Sequence, residues 1–61
     1  MNVAAWEVME DGTLEQVTVT GRSVWPGSVR ITRADGSQAV EYIRNIMSHA
    51  TGERLSPKEL V

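Results

Sequence analysis

Apolar and polar residues alternate through the first half of the chain, and turn dipeptides interrupt the pattern at Asp11-Gly12, Pro26-Gly27 and Asp35-Gly36. Alternation predicts strands with one buried face, and each dipeptide supplies the preset or positive φ that a tight reversal needs. A two-residue turn at Asp11-Gly12 sets Val8 against Glu15, Trp6 against Val17 and Ala4 against Val19. Ala4, Trp6, Val8, Val17 and Val19 then share the inner face, with Met9 and Leu14 as an apolar pair beside the turn. Beyond Pro26-Gly27, Val29 and Ile31 point inward and Ser28, Arg30 and Thr32 outward. The parity breaks at Gly21-Arg22, which predicts a bend or bulge there. The reading is three strands, at about 3–9, 14–24 and 28–33, in meander order.

After Asp35-Gly36 the spacing changes. Ala39, Val40, Ile43, Ile46, Met47 and Ala50 recur every three or four residues, with Glu41, Arg44, Asn45 and Ser48 between them. That period predicts a helix over about 37–50, capped by Asp35 or Ser37 and ended at Gly52. Ser56-Pro57-Lys58-Glu59 has the form of a capping box with Pro at the first helical position, so a short C-terminal helical turn is expected within the tail, 53–61. The expected fold is α+β: one small domain over 1–61, a three-stranded antiparallel β-meander packed on one face by a single α-helix. Its expected core is Ala4, Trp6, Val8, Val17, Val19, Val24, Val29, Ile31, Val40, Ile43, Ile46 and Met47.

Composition narrows the function more than the fold. A chain of 61 residues without cysteine has neither disulfides nor thiolate metal sites to reinforce a small core, which makes a homodimer or a larger partner the expected source of extra stability. Residues 1–20 carry a charge of −4 and residues 21–61 a charge of +2. No apolar run is long enough to span a bilayer and the start lacks the pattern of a signal peptide, so the expected location is cytoplasmic. His49, the single histidine, stands near the end of the expected helix with no nucleophile or carboxylate dyad placed by a motif. No catalytic residue, cofactor or metal is expected, and the chain is read as a non-enzyme.

Trp25, beside the Pro-Gly turn, is the candidate aromatic anchor for a partner, because loop tips are exposed and Trp dominates interface energetics. Arg22, Arg30, Thr32 and Arg33 complete the candidate partner-binding set as outward polar positions, the planar guanidinium suiting carboxylate or phosphate. Val29-Arg30-Ile31-Thr32, a helix, Thr51-Gly52 and a capped start at Ser56-Pro57 together resemble the element order of the ribbon-helix-helix DNA-binding domains. That resemblance covers about half the chain and implies Ser28, Arg30 and Thr32 as base readers in a dimeric regulator. The family packs a full second helix across its dimer, where this sequence has about one turn after Pro57, and its pattern leaves the first two strands without a role. A sequence pI near 5.2 further disfavours nucleic acid. The expected function is therefore a small binding protein, an inhibitor, adaptor or assembly factor of the kind phages and mobile elements encode, with a DNA-binding regulator as the alternative.

Overall fold

A computed structural model describes residues 2–56 and 58. It contains strands β1 (Val3–Val8), β2 (Leu14–Arg22), β3 (Ser28–Arg33), β4 (Gln38–Tyr42) and β5 (Ile46–Ser48), with a 3₁₀ turn at Ile43–Asn45 between the last two. All neighbours are antiparallel, and the sheet order is β4-β3-β2-β1-β5.

The α+β expectation is therefore wrong. Among the described residues there is no α-helix, and the stretch read as a helix over 37–50 is strand, 3₁₀ turn and strand. The reason lies in the turn before it. Gly36 has φ 88°, its N–H donates to the Arg33 carbonyl, and the Arg33 N–H donates to the Ser37 carbonyl at 2.8 Å. Asp35 Oδ1 accepts from the Ser37 N–H, so the turn closes a hairpin and lays β4 on β3. Helical spacing was imitated by a composite. Ala39 and Ile43 both pack against the core, as alternation in an extended strand allows, and a 3₁₀ turn then returns the chain inward three residues later at Ile46. The helix that carried the ribbon-helix-helix resemblance is absent with it. The expected C-terminal helical turn rests on residues 57 and 59–61, outside the described residues.

The first hairpin is built in the same way as the third, and this moves the register. The Met9 N–H donates to the Thr13 carbonyl and the Gly12 N–H to the Met9 carbonyl, so Glu10, Asp11 and Gly12 form the loop. A three-residue loop ending in a left-handed glycine replaces the two-residue turn. β1 consequently slides by one residue against β2, with Ala5 opposite Val17, Val3 opposite Val19 and Trp6 opposite Gln16. Because side chains alternate, that slip exchanges the faces of β1. Ala5 and Glu7 point inward, whereas Ala4 and Val8 are exposed and Trp6 is half-buried on the outside. There the Trp6 ring meets His49, centroids 4.6 Å apart, and His49 lies in the turn after β5 rather than at a helix end.

The observed core is Ala5, Val17, Val19, Val29, Ile31, Ile46 and Leu55, with Val3, Ala39 and Ile43 packed against it. Of the other expected core residues, Val24 is 91% exposed and Val40 50%, while Met47 is half-buried. The register of β2 against β3 shifts between Val19 and Gly21, where the parity break was read.

Sheet order and linker length together force the sheet to curl. In a flat five-stranded sheet the outer strands lie about 19 Å apart, but the four steps from Tyr42 to Ile46 reach at most about 14 Å even when extended. The linker is a tighter 3₁₀ turn, so the end of β4 and the start of β5 are drawn together and the inner face curls around the core. Residues 53–55 then fold back along β5: the Ser48 N–H donates to the Glu53 carbonyl and the Leu55 N–H to the Ile46 carbonyl. Leu55, 1% exposed, is thereby carried into the core, and the free edge of β5 is covered. No strand pairs with the far side of β4 among the described residues.

Candidate protein-docking surface

Alternation in β4 determines which of its groups are available. The Tyr42 N–H donates to its neighbour's carboxylate, Glu41 Oε1, at 2.8 Å instead of to Ser28, the residue it opposes on β3. In an antiparallel ladder this makes Tyr42–Ser28 a non-hydrogen-bonded pair, and the pairs two and four residues along, Val40–Arg30 and Gln38–Thr32, follow suit. The backbone groups of Gln38 and Val40 accordingly point away from β3, along the open edge.

The side chains of the same residues lie on the outer face. Val40 and Tyr42 are 50% and 52% exposed, and Trp25, in the turn between β2 and β3, is 67% exposed. Trp25 is held from its backbone: Ser28 Oγ donates to the Trp25 carbonyl at 2.6 Å, and the Trp25 N–H donates to Ser23 Oγ at 3.3 Å. Gly27, at φ 73°, completes the turn, and its carbonyl accepts from the Ile43 N–H, tying the Trp25 loop to the 3₁₀ turn. Trp25, Ser28, Val40, Glu41 and Tyr42 enclose a notch of about 150 Å³. The Arg44 guanidinium lies over the Tyr42 ring, 4.7 Å from its centroid, a cation–π contact that steadies the phenol at the end of the notch.

On the inner side of β4 the curled sheet opens into a polar mouth. Arg33 clamps Glu7 through Nε–Oε1 and Nη2–Oε2 contacts, each of 3.0 Å. The Glu7 side chain is 3% exposed and that of Arg33 36%. Hydrogen bonds from Arg33 hold the Glu7 carboxyl below its ordinary value against the opposing effect of burial, and the same bonds raise Arg33. Glu41 Oε1 also accepts from Asn45 Nδ2 at 3.0 Å. The remaining wall is the β1–β2 hairpin, with Glu10, Asp11 and Glu15 among its lining. Among the described residues no group of three or more His, Cys, Asp or Glu is placed to hold a metal ion.

The structure distributes the sequence-derived candidates unevenly. Trp25 forms one wall of the notch. Arg30 is exposed on the outer face of β3, directly opposite Val40, and Arg22 borders the Trp25 loop. Thr32 is half-buried opposite Gln38. Arg33, read as outward, instead turns inward onto Glu7, because it opposes Val17 on β2 and shares that residue's buried face. Val40 and Tyr42 were missed as surface residues because the helical reading absorbed them. The signal that exposes them is the repeated Asp-Gly-Thr and Asp-Gly-Ser, which gives Asp35-Gly36 the same hairpin as Asp11-Gly12. No family model, curated protein or solved structure matches the chain. Among the described residues no helix is long and apolar enough to cross a membrane.

Proposed function

We propose that this chain is a small, non-catalytic binding protein that docks on another protein through the open edge of β4 and the Trp25–Val40–Tyr42 surface beside it. The observation that carries this reading is the exposure of Trp25, Val40 and Tyr42 together, next to a sheet edge that no other strand pairs among the described residues. Unpaired edges template association unless blunted, and exposed aromatic groups are where interface energy concentrates. The contrast within the fold supports it: β5 has its edge covered by residues 53–55, whereas β4 has apolar side chains placed along an open one. Its action is stoichiometric, as an inhibitor, adaptor or assembly factor.

The test is a pair of variants read for both folding and capture. Trp25→Ala removes a mostly exposed ring while leaving the backbone bonds of its turn, so stability should change by less than about 0.5 kcal/mol. Affinity for a partner recovered with the wild-type protein should fall by about thirtyfold, the size expected of a central anchor. Thr18→Ala, on the outer face of β2, serves as the control. Equal capture by wild type and W25A would refute the docking surface.

A further inference from the structure

We infer that the occupant of this surface is an extended protein segment in which apolar and basic side chains alternate, added as a sixth strand along β4. The inference rests on the proposed docking function and specifies its partner. Backbone groups of Gln38 and Val40 directed off the sheet supply the hydrogen bonds of an added strand, which is how exposed edges recruit extended peptides. Side chains of such a strand alternate between the two faces of the sheet. Those on the outer face meet Trp25, Val40 and Tyr42, where an open notch of about 150 Å³, also bordered by Ser28 and Glu41, has room for one aliphatic side chain. Those on the other face meet Glu41 and the mouth of the curled sheet.

Charge on that second face selects the partner. Arg33 is committed to Glu7 through two hydrogen bonds and Arg44 lies over Tyr42, whereas Glu10, Asp11, Glu15 and Glu41 add negative charge to the groove lining. Lysine or arginine at alternate positions of the incoming strand meets this field, and acidic side chains or a phosphate backbone are repelled by it. The carboxylates set the class of occupant; the notch beside Trp25 and the edge of β4 make the binding site.

The probe is a short capped peptide alternating valine and lysine, compared with one alternating valine and glutamate and with single-stranded DNA. Amide shifts and hydrogen exchange of the intact chain are followed by NMR. The valine–lysine peptide should perturb the Trp25 indole and protect the Val40 amide, bind at least about tenfold more tightly than its acidic counterpart, and weaken as salt rises. Glu10→Gln and Glu15→Gln, both on the exposed hairpin, should reduce that preference without altering the fold. Val40→Pro removes a donor that faces off the sheet and should abolish the peptide's protection of the Gln38 amide and its shift of the Trp25 indole while leaving β3–β4 pairing intact. The inference is overturned if the acidic peptide or the DNA binds equally well, if no probe perturbs β4, or if Val40 becomes protected with rising protein concentration alone, which would make the occupant a second copy. Loss of partner capture on W25A alongside no charge preference would sink the inference while leaving the docking function standing.

Discussion

At the scale of single residues, the Glu7–Arg33 pair is the most consequential polar feature, because it places a carboxylate on the buried face of the sheet, beside the core. Replacing Arg33 with Met leaves that carboxylate buried without its cation, and the cost should be about 1–3 kcal/mol. The double variant Glu7→Leu with Arg33→Met should recover most of the loss, since apolar residues of similar size often replace a buried pair without penalty. Chemical denaturation of the three proteins decides the matter; additive losses in the double variant would mean that the two residues act independently. The pH dependence has a definite sign. Folding holds the Glu7 carboxyl below its ordinary value of 4.5, so its contribution is complete above that pH and is lost as pH falls through the lower folded-state value. In Arg33→Met the same carboxyl has lost the bonds that lowered it, and burial then favours its protonation. The stability gap between wild type and R33M should therefore narrow on acidification below about pH 4.5. A gap that widens would contradict the assignment.

Loops and short strands decide what could be read at the scale of elements. The turns were legible, since Gly12, Gly27 and Gly36 all adopt positive φ where Asp-Gly or Pro-Gly stood in the sequence. Loop length was not, because Glu10-Asp11-Gly12 and Asp11-Gly12 have the same sequence signature, and the single added residue turned Trp6 outward and Ala5 inward. The helical reading of 37–50 failed for a related reason: a five-residue strand is too short for alternation to outweigh the three-residue step that a 3₁₀ turn adds between Ile43 and Ile46. Trp25 was legible as an exposed residue from its place beside Pro26-Gly27, whereas Tyr42 and Val40 became surface residues only once β4 was a strand. The Asp35-Gly36 turn that makes it one gives a direct test. Gly36→Ala puts a Cβ at φ 88° with open space around it, so the backbone conformation rather than a clash sets the cost, about 1 kcal/mol or more. Thermal denaturation of G36A should show that loss; an unchanged midpoint would mean the turn tolerates another conformation.

For the whole molecule, closure depends on a few long-range contacts. The sheet curls because the 3₁₀ turn is short, and the side where β4 and β5 approach without pairing is completed by Leu55, one of seven core side chains among the described residues. Leu55→Ala should cost about 2–5 kcal/mol, a large fraction of the stability of so small a domain, and should loosen the cover over β5, because the Leu55 side chain anchors the segment whose backbone N–H bonds the Ile46 carbonyl. A variant that retains wild-type stability would show that the tail is not part of the core. One edge of the curled sheet is covered by the chain's own return segment, and the other, among the described residues, has no strand paired to it and lies beside the exposed Trp25 and Tyr42 rings.

Amide hydrogen exchange across the free protein, read at residues 37–55 against Val19, tests that central claim most directly. An edge strand with alternate residues bonded to β3 predicts slow exchange at Ala39 and Glu41, fast exchange at Gln38 and Val40, and protection at Ser48 and Leu55 where the tail covers β5. Uniform protection from residue 40 to residue 50 would restore the helix, and a Val40 amide as slow as that of Val19 in dilute solution would show that the edge of β4 is already occupied.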